Sequence, residues 1–394
     1  MNEVLSRSGT GDAGSAIDPD EIVRTAESLY GLLDKYAASS DEQGVLHDAV
    51  VSALHDVGAV KMFLPRELGG LELRPTDAMR LIRALSYADP SAGWAGMALA
   101  TATGLAGAFF PADTARELFA EGSRTAIAGQ GTKPGRAVPV DGGHLVSGEW
   151  SFASGIKHAT HVHTAAIDAV TGQSRFFVLP IAEATIIDNW EVLGLRATGS
   201  LDYVLDEVFV PIGYSYPSLS REPVTGGDLY RLGIGNLASI NHGSWALGVG
   251  RRMLDELAAF VRSTGRGLGD AFHGEYATAE ATLRSAEALL FDAWRDIERT
   301  QDRGDHPSVR QETLNRLALN NATWSMQAVA EFAYRSAGTI ALRSGVIQRL
   351  FRDVHAGTQH ISSSATIRQS CGRELAGLAE KERWVHFRLV REDG

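Results

Sequence analysis

Cysteine is nearly absent: Cys371 is the single one in 394 residues. No intrachain disulfide is possible, so a reducing, cytoplasmic setting is expected. No Gly-x-Gly-x-x-Gly run opens a strand–helix unit and no Walker loop is present. Gly129-Gln130-Gly131 and Gly265-Arg266-Gly267 are only near misses, so a nicotinamide-binding fold is not expected. Cys-x-x-Cys, His-Glu-x-x-His and Gly-x-Ser-x-Gly are missing too, which removes the main supports for metalloprotease and serine-hydrolase chemistry. Positive charge is short: 37 Lys and Arg stand against 48 Asp and Glu, a formal net charge of −11. A nucleic-acid partner needs a cationic face, so none is expected. Met1 to Asp20 holds no apolar run of signal-peptide type, and residues 1–17 are expected to form a flexible arm. Pro90 to Ala112 carries no charge but consists mostly of Ala, Gly and Thr. That composition suits a helix packed inside a protein better than a membrane span.

Three regions differ in period. Over residues 18–124 apolar residues recur at helical spacing, as in Val51, Leu54, Val57 and Met79, Ile82, Leu85, with Pro65, Gly69-Gly70, Pro75 and Pro111 as breaks. Over 125–215 the pattern is that of strands. Val138 to Val146 reads as a hairpin around Asp141-Gly142-Gly143, and further strands are expected at Val162–Ile167, Arg175–Leu179, Thr185–Trp190 and Val204–Val210. Over 225–394 the helical period returns and is expected to persist to the end, as in Val249, Met253, Leu257, Phe260 and Leu283, Ala286, Leu290, Ala293, Ile297. The expected fold class is α+β: an N-terminal helical domain, a central antiparallel β-sheet or barrel, and a C-terminal four-helix bundle. His158, His161 and His163 form the densest histidine cluster. It lacks a third ligand at a known spacing, so no metal is expected.

Four passages, in order and correctly spaced, carry a resemblance to a known family: Leu64-Pro65-Arg66-Glu67-Leu68-Gly69-Gly70, Gly142-Gly143 through Gly148-Glu149-Trp150, Leu193-Gly194-Leu195-Arg196-Ala197-Thr198-Gly199-Ser200 running on to Val208–Pro211, and Ala337-Gly338 through Gln348–Asp353. Together they resemble the acyl-CoA dehydrogenase superfamily over nearly the whole chain. Dehydrogenases of that family use a carboxylate to remove the substrate α-proton, and here the matching passage reads His355-Ala356-Gly357-Thr358, with no Asp or Glu from Val354 until Glu374. The alternative position, Arg262-Ser263-Thr264-Gly265-Arg266, lacks one as well. Without a base, thioester dehydrogenation is disfavoured.

Trp150-Ser151-Phe152-Ala153-Ser154-Gly155 and the stretch from Arg352-Asp353 to His360 look instead like the flavin-dependent monooxygenases built on this scaffold, the oxygenase components of two-component systems. The resemblance implies reduced flavin (FMNH2 or FADH2), molecular oxygen, a separate NAD(P)H-dependent flavin reductase and a homotetramer. It further implies hydroxylation of a small aromatic, polyketide-like or heteroatom-bearing substrate through a C4a-hydroperoxyflavin. By the same resemblance Ser154 contacts flavin N5, and Trp150 and Phe152, expected on one strand face, line the isoalloxazine edge with Ala153. Their competing role is sheet core. Arg196, Thr198 and Ser200 offer donors to the flavin or its phosphate, and Gly338 and Thr339 approach the flavin or a neighbouring subunit. His360 is the candidate acid–base group, with His355 second. Relatives that hydroxylate phenols carry a His after the Gly-Trp pair; here Gly93-Trp94 is followed by Ala95 to Thr101 with none. Trp94 and Met97 are the expected substrate contacts. Two other readings predict different behaviour: an acyl-CoA dehydrogenase or oxidase with an atypical base would bleach with a thioester, and a non-catalytic scaffold would bind no flavin.

Overall fold

Capping and proline placement set the first helices. The computed structural model describes residues 18–265 and 269–391; the expected N-terminal arm and part of the Gly265-Arg266-Gly267 passage lie outside them. Asp18 accepts from the Asp20 amide with Pro19 at the first helical position, starting α1 (Pro19–Ser28). Then follow α2 (Tyr30–Gln43), α3 (Asp48–Asp56), α4 (Pro75–Ala88), α5 (Pro90–Phe109) and α6 (Ala112–Leu118). Asp89 caps α5 through the Ser91 amide, again with proline next. The uncharged α5 is buried along most of its length and packs on α4, α7 and β1. Its small residues permit close approach: a Cβ on Gly93 would lie 2.2 Å from Ser86 Oγ, and one on Gly104 2.4 Å from the Phe63 carbonyl oxygen. Among the described residues no helix is long and apolar enough to cross a membrane.

The sheet comprises β1 (Ile127–Val140), β2 (Gly143–Ala153), β3 (His161–Asp168), β4 (Ser174–Pro180), β5 (Thr185–Ile187), β6 (Leu201–Pro211) and β7 (Ser215–Pro217), in the order β5-β6-β2-β1-β3-β4-β7. The expected hairpin is present, with Val140 opposite Gly143. The expectation of a wholly antiparallel sheet is corrected, because β1 and β3 pair in parallel. After β2 the chain reverses at the one-turn helix Ile156–His158 and pairs on the far side of β1, so β3 must run in the direction of β1.

The last region holds α7 (Gly233–Thr264), α8 (Asp270–Gln301), α9 (Val309–Ala337), α10 (Val346–Gly357) and α11 (Ala365–Leu375). The apolar stripe Leu283, Ala286, Leu290, Ala293, Ile297 is buried as its spacing predicts, and α7 packs on both α9 and α4. Helix does not persist to the end. Residues Glu382–Val385 (β8) and Arg388–Arg391 (β9) form a hairpin. Trp384 anchors it, donating to Thr313 Oγ1 at 2.8 Å beneath the Arg316 guanidinium.

Candidate active site

The passage Leu193–Ser200 is clamped onto α10. The Leu195 backbone, held at φ 55°, donates to Asp353 Oδ1 at 2.6 Å. Arg352 donates to the Leu193 carbonyl at 2.9 Å and pairs with Asp41 at 2.6 Å. Gly194 is required here: a Cβ would lie 2.2 Å from the Arg352 carbonyl oxygen. Burial pushes the Asp353 carboxyl up to about 7, against the lowering effect of the Leu195 amide, and pushes the nearby Asp89 up to about 6. Arg352 and Asp353 are therefore framework for the turn.

That turn aims a line of hydroxyls. Trp94 Nε1 donates to Ser154 Oγ at 3.0 Å, Ser154 Oγ lies 2.7 Å from Ser200 Oγ, Ser200 Oγ lies 2.7 Å from Thr198 Oγ1, and Thr198 Oγ1 donates to the Leu195 carbonyl at 2.7 Å. An indole nitrogen can only donate and a carbonyl can only accept. With one hydrogen in each contact, the chain runs Trp94 to Ser154 to Ser200 to Thr198 to Leu195. The Ser154 proton is thus committed to Ser200, and Ser154 keeps one oxygen lone pair for a ligand.

His360, at the N-cap of the one-turn helix Ile361–Ser363, stacks on His242 of α7 with ring centroids 3.6 Å apart and planes 17° from parallel. The Trp94 ring stands edge-on to both, at 4.9 Å from His242 and 5.8 Å from His360. His360 Nδ1 accepts the Ser362 amide at 3.2 Å and lies 2.7 Å from Ser362 Oγ. A backbone N–H aimed at Nδ1 requires a lone pair there, so neutral His360 carries its proton on Nε2. Burial lowers His360 to about 4. Burial, and next the His360 charge, hold His242 well below the ordinary histidine range.

Trp94, Ser154, Thr198, Ser200 and His360 are therefore brought together, and the buried Met97 lies one turn beyond Trp94 on α5. Trp150 and Phe152 do not share a face. Between Trp150↔Tyr203 and Ala153↔Leu201 strand β2 spends one residue more than β6, and Phe152 takes φ 69° at this bulge. Trp150 is 1% exposed, stacked on Tyr203 and bonded to the Ala165 carbonyl, which makes it sheet core. Phe152 is 64% exposed, edge-on to Trp190. The Arg196 side chain is exposed, as are Gly338 and Thr339 in the short helix that follows α9. His355 packs edge-on against Phe351 of its own helix. His163 pairs with Tyr216 at 2.5 Å while His161 contacts Thr160, and among the described residues no three His, Cys, Asp or Glu side chains group as a metal site. The residue that sequence reasoning missed is His242, which belongs to no motif and sits among polar and apolar neighbours, Ser239, Ile240, Asn241 and Ser244, that give it no distinguishing signal.

Residues 240–365 match the family model described as acyl-CoA dehydrogenase, C-terminal domain. The chain is 28% identical over 371 residues to the flavin-dependent monooxygenase, oxygenase subunit HsaA, of Mycobacterium tuberculosis, covering 88% of this chain and 92% of that one. It is also 28% identical over 393 residues to the FADH(2)-dependent resorcinol hydroxylase, oxygenase component, of a Rhizobium species, covering 91% and 95%. The crystal structure of the M. tuberculosis HsaA monooxygenase superposes with a TM-score of 0.85 at 24% identity, over 92% of this chain and 99% of that one. Taken with the order of helices, sheet and bundle, these matches show a flavin-dependent oxidoreductase on the acyl-CoA dehydrogenase fold, similar over most of its length to monooxygenase oxygenase components.

Proposed function

We propose that the chain is the oxygenase component of a two-component monooxygenase, a cytoplasmic homotetramer that receives reduced FMN or FAD from a separate NAD(P)H-dependent reductase. With molecular oxygen it hydroxylates a small aromatic, polyketide-like or heteroatom-bearing molecule. The observation that carries this reading is the directed hydroxyl chain, from Trp94 to the Leu195 carbonyl, that leaves Ser154 one free acceptor lone pair. The donor set fits a flavin: an exposed aromatic ring at Phe152, a fixed acceptor at Ser154, and an exposed guanidinium at Arg196. When bound, reduced flavin supplies the oxygen activation and hydroxyl transfer.

The protein residues orient and exclude water. With flavin bound, Ser154 Oγ would accept a hydrogen bond from the N5–H group, and Phe152 with Ala153 would border the ring. Thr198 and Ser200 act through Ser154, keeping its lone pair outward. Arg196, with Gly338 and Thr339 from the same or a neighbouring subunit, serves the phosphate end. His360, neutral at physiological pH and protonated at Nε2, works as a hydrogen-bond donor to a substrate oxygen, a narrower role than a titrating acid–base group. In this reading the helical unit 18–124 contributes Trp94 and Met97, the β unit 125–215 contributes Ser154, and the bundle 225–394 contributes His360.

Anaerobic mixing with reduced FMN or FAD, followed by air and stopped-flow absorbance, tests the proposal. A transient band distinct from both reduced and oxidised flavin is expected. Direct return to oxidised flavin, with and without a panel of aromatic acceptors, would sink it.

A further inference from the structure

Helix α5 escapes burial along one line only: between Pro90 and Phe110 just Trp94, Ala98 and Thr101 are half-buried, four and three residues apart. On the first half of α7, from Gly233 to Gly250, the same holds for Ile234, Gly235, Ala238 and His242. These two stripes face each other. Trp245 Nε1 donates to the Pro90 carbonyl at 2.9 Å, the Trp94 ring lies 4.9 Å from His242, and Asn241 Nδ2 donates to Thr101 Oγ1 at 2.8 Å. The helices therefore run antiparallel with a trench between their stripes. From Trp94, bonded to Ser154, the trench follows α5 for seven residues to Thr101, about 10 Å at the rise of a helix. Neither stripe carries an Asp, Glu, Lys or Arg. The Thr101 hydroxyl is already used, accepting from Asn241 and donating to the Met97 carbonyl at 2.9 Å.

The terminal hairpin lays its turn along the α7 side of this trench. Val385 pairs with Arg388, so His386, at φ 52°, and Phe387 make a two-residue turn. Arg316, 2% exposed, fixes it: Nε and Nη2 donate to the His386 carbonyl at 3.1 and 2.7 Å, while Nη1 donates to Asn236 Oδ1 at 2.9 Å. His386 sits against Gly235, where a Cβ would lie 3.0 Å from the His386 Cα. Phe387 stands edge-on to His360 at 6.2 Å, and His360 stacks on His242. The turn thus touches α7 at Gly235 and reaches the ring stacked on His242, with Ala238 between the two points. Packing against Trp384, Cys371 and Ile367 holds the Phe387 ring in place.

We propose that Phe387 is a specificity-determining residue whose ring walls the trench and limits how far an aromatic molecule extends along it. The stripes are uncharged, Ala98 and Ala238 leave room, and the surrounding edges of Trp94 and Phe387 suit a flat ring system. The favoured occupant is accordingly an uncharged fused aromatic, one ring at the Trp94 end and its far ring bounded by Phe387. That this occupant is the molecule oxidised rests on the monooxygenase reading above; the wall itself does not.

The test uses the full-length protein without flavin turnover and two probes that differ by one fused ring, quinoline and acridine, both uncharged at pH 8. Dissociation constants come from titration calorimetry. Phe387→Ala removes the wall and should raise the affinity for acridine relative to quinoline by about tenfold or more, with quinoline itself changing by less than about threefold. Phe387→Leu, which keeps an apolar side chain against Trp384, should shift the ratio the same way by less and keeps the test open if the Ala variant misfolds. A ratio that stays within about twofold of wild type in both variants, an equal change for both probes, or no binding of either probe by any of the three proteins would overturn the wall. A loss of stability alone would move both affinities together. A protein that passes this test yet shows no transient flavin band would lose the oxygenase reading and keep the wall.

Discussion

Asp353→Asn separates the framework beneath the site from its chemistry. Asp353 is 2% exposed, and burial raises its carboxyl to about 7, with Asp89 and Asp41 adding to the rise and Arg352 opposing it. An unfolded aspartate titrates near 3.9. The folded state thus binds the proton more tightly than the unfolded state. The associated stabilisation is fully present below about pH 3.9 and is lost as pH rises through about 7. Integrating the two titrations gives about 3 kcal/mol of stability at pH 5 that is gone by pH 8. Asparagine keeps an oxygen for the Leu195 amide and never ionises, so the variant should escape this loss. Urea unfolding followed by tryptophan fluorescence, at fixed protein concentration and at pH 5 and 8, measures the effect. Wild type should lose roughly 2–4 kcal/mol more than the variant across that interval. Other titrating groups act in both proteins, and His360, lowered to about 4, contributes with the opposite sign in each. Parallel behaviour of the two proteins within about 0.5 kcal/mol would refute the idea that Asp353 is protonated on folding.

Ser154→Ala removes the outward lone pair and should lower product formed per flavin reoxidised, with hydrogen peroxide making up the difference; the readout is product against peroxide, and unchanged coupling would remove Ser154 from the flavin contact. Trp94→Phe deletes the donor that fixes Ser154, costing about 1 kcal/mol of stability and lowering the same product-to-peroxide ratio less than Ser154→Ala does. Gly194→Ala drives a Cβ onto backbone that cannot yield, 2.2 Å from the Arg352 oxygen and 2.6 Å from the Asp353 nitrogen. About 3 kcal/mol or more should be lost, seen as a lower melting temperature and poor soluble yield.

Much of the fold was legible because period and punctuation are local. The small-residue composition of Pro90–Ala112 marked a buried helix, and Asp141-Gly142-Gly143 marked a hairpin; both are there. The errors arose where tertiary pairing overrides local pattern. Strict alternation put Trp150 and Phe152 on one face, but the bulge opposite Asp202 turns Phe152 outward, and nothing in the sequence marks an extra residue in one strand of a pair. The parallel pairing of β1 with β3 depends on which side of the hairpin the chain returns to, a choice made by packing rather than by residues within either strand.

The site was legible as residue types but not as hydrogen positions. Ser154, Ser200 and Thr198 could be named as hydroxyls near a flavin, yet which of them donates is decided by an indole from α5 at one end and a carbonyl from the Leu193–Ser200 turn at the other. The same holds for His360. A histidine at its ordinary pKa would be an acid–base group, whereas the Ser362 amide and burial together make it a neutral donor. His242 takes its place in the site only through a ring brought to it by the loop after α10. A sequence motif records one side of such a pair at most. The two rings accordingly meet only in the folded chain, from two separate elements, and a change at either should alter the pair while the hydroxyl chain from Trp94 to Leu195 stays intact.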